Sequence, residues 1–185
     1  MAFAMTLRRG RVARLLTAMA GLSGDDRVID VGCGPGAAVR EAARHAASAT
    51  GVDPSAVSLA LARWITGRGQ ARNVAFLEGR AESLPLPDGC ATVVWSISSL
   101  HHWQDRVKGF AEAFRVLAPG GRVLIAERQV RPGGRGPNAH GLAAAGIGGV
   151  AGDLAGAGFE DVQTTTTQAG RRAMIVITGR RPAAG

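Results

Sequence analysis

Two rhythms of apolar residues alternate along the chain. Short runs rich in Val, Ile and Leu occupy 27–31, 74–78, 91–96 and 122–127, and between them apolar positions recur every three or four residues. The first pattern suits buried strands and the second amphipathic helices. Residues 7–20 predict an opening helix, with Val12, Leu15, Leu16 and Met19 on one stripe and Arg8, Arg9, Arg11 and Arg14 over the remaining surface. Gly21 and the Ser-Gly-Asp-Asp run at 23–26 end it. Helices are then predicted over 37–47 and 54–66, the latter with Val57, Leu61, Trp64 and Ile65 as its stripe, and a short strand over 50–53. Pro54 suits a helix's first turn, where its missing N–H costs nothing. Val107, Phe110, Phe114 and Leu117 mark a further helix that stops at Pro119-Gly120-Gly121. Residues 129–140 read as a mobile loop, and 142–157 as a weak helix because of their many glycines. Strands at 162–167 and 173–178 close the chain as a hairpin around Ala169-Gly170.

Strands alternating with helices imply an α/β fold. The expected form is a Rossmann-like, doubly wound sheet of seven strands, mostly parallel, with an antiparallel C-terminal hairpin strand. Residues 1–24 form a helical cap, 25–182 one domain and 183–185 a tail. A chain of 185 residues has material for one core. Such sheets bind ligands at the carboxyl ends of their strands. Three features fall there: residues 30–36, Asp53 and residues 79–82.

Composition narrows the classes. Tyrosine is absent, and three Trp and five Phe leave the core to Val, Leu, Ile and Ala. Cys33 and Cys90 form neither a CxxC pair nor a Cys/His cluster with zinc spacing, so no metal site is expected and both thiols are read as reduced. The net charge is +8, but all the basic residues except Lys108 are Arg and they are scattered without a run of five like charges. That weighs against a nucleic-acid partner without excluding one. No stretch approaches 18 uninterrupted apolar residues, so no membrane span is expected. Arg11 and Arg14 interrupt the one faintly signal-like segment, which leaves the cytoplasm as the expected location.

The turn after the first strand carries the main chemical information. Gly32, Gly34 and Ala37 satisfy the G-x-G-x-x-G/A pattern of nucleotide-binding folds. Two cofactor classes share that pattern, and Asp30 separates them. In an NAD site this turn lies against a doubly negative pyrophosphate, which a carboxylate would repel at low dielectric. S-adenosylmethionine has no phosphate and carries an ammonium and a sulfonium, so an acid there helps. Asp53 ends strand two and can accept hydrogen bonds from both ribose hydroxyls. The plainer alternatives are a turn or capping role for Asp30 and a helix cap for Asp53.

The run Val28-Ile29-Asp30-Val31-Gly32-Cys33-Gly34-Pro35-Gly36 resembles motif I of class I S-adenosylmethionine-dependent methyltransferases. Residues 79–89, Leu100-His101-His102-Trp103, residues 115–121 and Gly156-Ala157-Gly158-Phe159 resemble the type 11, ubiquinone/menaquinone-biosynthesis branch of that family. The resemblance covers roughly residues 25–180. It implies that the backbone around Asp30, Gly32, Cys33 and Gly34 holds the methionine part of the cofactor. Asp53 would take the ribose, with Pro54 beside the adenine. Arg80, Ala81 and Glu82 would border the adenine, and Ser96 would face the methionine ammonium or carboxylate. Many relatives carry an acid where Arg80 stands, to accept from the adenine amino group. Arg cannot accept, so Glu82 or a backbone carbonyl must do so. Many also have Asp where this chain has Ala91-Thr92.

Methyl transfer is mostly alignment, and a base is needed only if the acceptor must lose a proton. His101 and His102, just beyond strand four, are the candidates; the alternative is that one shapes the cofactor pocket and the other packs. Strand four ends Ser96-Ile97-Ser98-Ser99, without the Asp/Asn-Pro-Pro-aromatic turn of amino-methylating enzymes, and no Pro-Cys nucleophile occurs. A small-molecule acceptor is therefore expected, methylated on oxygen or carbon. Segments 1–24 and 128–141 are short, so the opening helix should be a thin cover over the carboxyl edge of the sheet. A second copy could close the site as a homodimer. A large acceptor touching Arg128, Arg131 and Arg135 could also do so. Two other classes stay open: an NAD dehydrogenase, opposed by Asp30 and Gly36, and an S-adenosylmethionine-binding partner or sensor without turnover.

Overall fold

A computed structural model of the chain describes residues 2–68, 71–130, 141–170 and 172–185. The elements are α1 (Ala2–Ala20), β1 (Arg27–Val31), α2 (Ala37–Ala42), β2 (Ser48–Asp53), α3 (Ala56–Arg68), β3 (Val74–Glu78) and β4 (Ala91–Ile97). They continue as α4 (Arg106–Val116), β5 (Leu117–Val130), β6 (Leu142–Ala143), α5 (Ile147–Gly156), β7 (Glu160–Ala169) and β8 (Arg172–Arg180). The sheet runs β3-β2-β1-β4-β5-β8-β7, with β6 pairing parallel to the end of β5. β8 is antiparallel to both its neighbours, as the hairpin pattern implies, and the other strand pairs are parallel. The two-residue β6 is the eighth strand; it occupies the start of the stretch expected to be helical, and α5 begins only at Ile147. The loop expected at 129–140 lies, from residue 131 on, outside the described residues.

Side chains of a strand alternate between faces, and the core divides accordingly. Val28, Trp95, Leu124 and Val176 face α1, α2 and the buried side of α3, while Ile29, Val31, Val94 and Ile125 face α4 and α5. α1 packs on the first of these faces through Val12, Ala13 and Leu16, all buried. Residues 12–16 are thus a layer of the core and not a cover over the carboxyl edge. Arg122 pins the end of this helix, donating from Nε to the Ala20 carbonyl at 2.7 Å and from Nη2 to Asp26 Oδ2 at 2.8 Å. The Thr92 hydroxyl donates to the other Asp26 oxygen at 2.7 Å. Burial pushes the Asp26 carboxyl up, but the bonds from Arg122, Thr92 and Ser23 outweigh it and hold the group below the usual range.

α3 presents a different face from the one its apolar repeat suggests. Leu59, Ala62 and Thr66 are buried, whereas Val57 and Trp64 are 81% and 61% exposed. The reason is close approach: a Cβ on Gly36 would come within 2.6 Å of the Phe76 ring and 3.2 Å of Ala62. Only small side chains fit where α3 meets the glycine turn and β3. Pro54 stands one residue before the helix cap, because the Ser55 hydroxyl accepts from the Ser58 amide at 3.2 Å. α2 stops at Ala42 instead of running to 47. The Asn73 side chain takes the Ala43 and Ala46 carbonyls at 2.9 and 3.1 Å, closing the turn that follows it. Among the described residues no helix is long and apolar enough to cross a membrane, and no His/Cys/Asp/Glu group could hold a metal.

Candidate active site

β1 ends in a turn whose Gly32, Gly34 and Gly36 have φ of +77°, +52° and +72°, a region that L side chains avoid. The turn is tied to β2 by its own amides: Gly32 and Cys33 both donate to the Val52 carbonyl, at 2.8 and 3.1 Å. Gly34 donates to Asp53 Oδ2 at 2.8 Å, and Asp53 Oδ1 accepts from the Ser55 amide at 2.9 Å. Asp53 therefore latches the turn and closes the entry to α3 at once, while remaining in the wall of the cleft above.

That cleft has a volume of 460 Å³. On the β2/β3 side its walls are Asp53, Pro54, Val57 and Leu61, with Arg80, Ala81 and Glu82 following β3. On the β1/β4 side they are Val31, Gly32, Ser99 and His102. Ser98 has φ +49°, unusual for a residue with a side chain, and its amide donates to the Ala126 carbonyl at 2.8 Å. This kink lays Ser99, 6% exposed, directly over the turn. A Cβ on Gly32 would lie 1.7 Å from Ser99 Oγ. The glycine is required by the serine packed on it as well as by any ligand.

The expected residues fall into two groups. Gly32, Gly34, Asp53, Pro54, Arg80, Ala81, Glu82 and His102 line the cleft. Asp30, Cys33 and Ser96 do not. Asp30 is 2% exposed and shares the face of Val28, beneath the turn. The Cys33 side chain lies in the core, where a Cβ on Gly51 would meet its sulfur at 2.7 Å. Ser96 is 1% exposed, inside β4 and paired in register with Ile125. Glu82 has a structural duty too, since Oε1 accepts from the Gln104 and Asp105 amides at 2.6 and 3.1 Å.

His101 stands outside the cleft and is held by a residue that the motifs did not single out. Glu127, near the end of β5, is 2% exposed. Its Oε1 accepts from the Leu100 amide at 2.8 Å and its Oε2 lies 3.2 Å from His101 Nδ1. The His101 and His102 rings are 4.1 Å apart. The signal for Glu127 was present: a carboxylate at the end of an apolar strand rarely goes under without a partner. Ser99 gave a weaker one, as the last of the three serines in Ser96-Ile97-Ser98-Ser99.

Residues 29–125, just over half of the chain, match the family model described as a methyltransferase domain. The chain belongs to that family. Among curated relatives of this methyltransferase domain is the 27-O-demethylrifamycin SV methyltransferase of Amycolatopsis mediterranei. It is 35% identical over 119 residues, which are 63% of this chain and 44% of that one. A SAM dependent methyltransferase from Aquifex aeolicus shares its fold at TM-score 0.77, with 18% identity, covering 91% of this chain and 88% of the other. So does SpnF, described as a [4+2]-cyclase, at TM-score 0.81 and 24% identity over 95% and 82% of the two chains. The methyltransferase domain spans less than half the length of the curated relatives it matches first.

Proposed function

We propose that this protein is an S-adenosylmethionine-dependent methyltransferase acting on the oxygen or carbon of a small-molecule acceptor. The observation that carries the reading is the glycine turn and Asp53 opening on one cleft with Ser99 at its far wall. The cleft's volume falls within the usual range for small-ligand sites, about 300–1,000 Å³. Asp53 has acceptor capacity left on each oxygen for ribose hydroxyls, and Val57 and Leu61 supply an apolar wall for the adenine. Arg80 cannot accept from the adenine amino group, so the second oxygen of Glu82, whose Oε1 already takes two amides, or a backbone carbonyl makes that bond. Ser99 takes the methionine end that the motifs assign to Ser96. Asp30, buried below, opposes a pyrophosphate and favours a cation.

When bound, the cofactor supplies a methyl on a cationic sulfur: the acceptor atom bonds to that carbon, and the carbon–sulfur pair of electrons stays with sulfur. For a hydroxyl acceptor, His101 takes the proton lost from oxygen. Glu127 fixes the ring by its bond to Nδ1 and stabilises the imidazolium that forms. His102 forms cofactor-side wall. The relative named as a 27-O-demethylrifamycin SV methyltransferase supports a hydroxyl acceptor. Neither Cys33 nor Cys90 is in a disulfide, which fits a cytoplasmic location.

The test is calorimetry with S-adenosylhomocysteine and NAD, followed by incubation with S-adenosylmethionine and a panel of hydroxylated metabolites. Binding of the first ligand and acceptor-dependent release of S-adenosylhomocysteine are expected. Binding of NAD with no response to S-adenosylhomocysteine overturns the reading.

A further inference from the structure

Residues 79–90 carry part of the cleft wall, at Arg80, Ala81 and Glu82, without belonging to a helix or a strand. A segment without a ladder must be held by other bonds, and α4 supplies them at both of its ends. At the start of α4, Glu82 Oε1 accepts from the Gln104 and Asp105 amides. Asp105 in turn caps the helix by accepting from the Lys108 amide at 3.1 Å.

In the last turn of α4 one guanidinium holds the rest of the segment. Arg115 makes five hydrogen bonds, as many as a guanidinium has N–H groups. Nε donates to Glu112 Oε1 at 2.7 Å, Nη1 to the Leu86 carbonyl and Asp88 Oδ1 at 2.8 and 2.7 Å, and Nη2 to the Leu84 carbonyl and Glu112 Oε2 at 3.1 and 2.7 Å. Glu112 Oε2 also accepts from the Leu84 amide at 2.7 Å, so both backbone groups of Leu84 are taken by this pair. The Arg115 bonds hold the Glu112 carboxyl below its usual range although burial pushes it up. Pro85, inside the knot, packs so closely on Gly79 that a Cβ there would meet its ring at 2.6 Å.

Only Ser83 separates Glu82, tied to one end of α4, from Leu84, tied to the other, and its amide donates to the Arg80 carbonyl at 3.2 Å. A shift of Leu84 is therefore passed directly to the cleft wall. The packing of α4 is carried by Phe110, Ala113 and Val116. Arg115 and Glu112 are 31% and 20% exposed in their side chains, and their bonds serve the segment more than the core.

We propose that Arg115 and Glu112 are positioning residues for the cofactor: their knot on residues 84–88, with the Glu82 clasp at the other end of α4, fixes the purine-side wall of the cleft. This rests on the methyltransferase reading above.

The test is Arg115→Met, which keeps an unbranched stem and removes every donor. Two ligands are titrated by calorimetry well below the melting temperature: S-adenosylhomocysteine, and 5′-methylthioadenosine, which lacks the amino-acid end. Amide hydrogen exchange of the free protein is read alongside. Both ligands should weaken by the same factor, about three- to tenfold, as expected for a lost hydrogen bond at the purine edge. Exchange should quicken at Ser83, Gln104 and Asp105 and stay unchanged at Gly34, on the opposite side of the cleft. Unchanged affinities, or a loss confined to S-adenosylhomocysteine, overturn the proposal. So does exchange that quickens only at residues 84–89, or that quickens at Gly34 as well, which marks general loosening. Glu112→Gln, which removes the charge and leaves the arginine stem in place, is read by the same criteria and decides the matter if Arg115→Met does not fold. If wild-type protein does not bind S-adenosylhomocysteine, the methyltransferase reading falls, and the exchange pattern still decides whether the knot holds this wall.

Discussion

Removing the Ser99 hydroxyl isolates one end of the cofactor site. Among the described residues no protein group bonds that hydroxyl, and Ser99 is 6% exposed in the wall of the cleft. Ser99→Ala keeps the Cβ that packs on Gly32 and deletes only the oxygen, so folding should be untouched. If the hydroxyl meets the charged amino-acid end of the ligand, its loss costs about 1.5–3 kcal/mol. At about 1.4 kcal/mol per decade that is roughly 10- to 150-fold in dissociation constant. The assay is calorimetry with two ligands. S-adenosylhomocysteine carries the amino-acid end; 5′-methylthioadenosine has the same adenosine and sulfur without it. Ser99→Ala should weaken the first by that factor and leave the second unchanged. Equal losses for both ligands, or no loss for either, would refute the assignment of Ser99 to the amino-acid end.

Gly32→Ala should abolish S-adenosylhomocysteine binding and lower the melting temperature, since its Cβ would meet Ser99 Oγ at 1.7 Å; pairing it with Ser99→Gly should restore much of the melting temperature. Glu127→Gln should cut turnover of a hydroxyl acceptor by about 10²-fold, the lower range for base catalysis, with S-adenosylhomocysteine affinity unchanged; an undiminished rate would remove His101 as base. The Asp26–Arg122 contact is expected to set part of the acid limit of stability. The folded-state pKa of Asp26 is lowered, so its contribution is full above the unfolded value of about 3.9 and is lost as pH falls through the folded value. Arg122→Met should flatten the melting temperature against pH in that window, and an unchanged slope would count against the contact. Because Val12 and Leu16 are used inside the chain, light scattering at micromolar concentration should give the single-chain mass of 19.0 kDa; twice that mass would require a different dimer surface.

The strand runs and the glycine turn were legible because both obey short-range rules: short continuous apolar runs for strands buried on both faces, and φ values open only to glycine. Asp53 was legible as a strand-end carboxylate, and its capping and cleft-lining positions turn out to be compatible. What escaped depended on contacts distant in sequence. Ala62 faces inward because Phe76 and Gly36 leave room there only for a small group, and Leu59 and Thr66 follow it on the same helix face, a fact that the α3 repeat does not contain. Ser99 lines the cleft where Ser96 was expected because the kink at Ser98 turns the chain over Gly32. Glu127 matters through Leu100 and His101, 27 and 26 residues away. α1 seemed to be a cover because its stripe is readable, but the surface that takes the stripe is not.

Asp53 has a dynamic consequence. Its two oxygens hold amides on either side of it, Gly34 in the turn and Ser55 at the entry to α3. Neither oxygen can swing toward solvent without carrying the other, so the turn and the first residues of α3 should open as one unit on the timescale of hydrogen exchange. A ligand that fastens this carboxylate would slow exchange at Gly34 and Ser55 together. The wall of the cleft formed by Val57 would then be drawn into a stiffness that no contact with the ligand needs to impose.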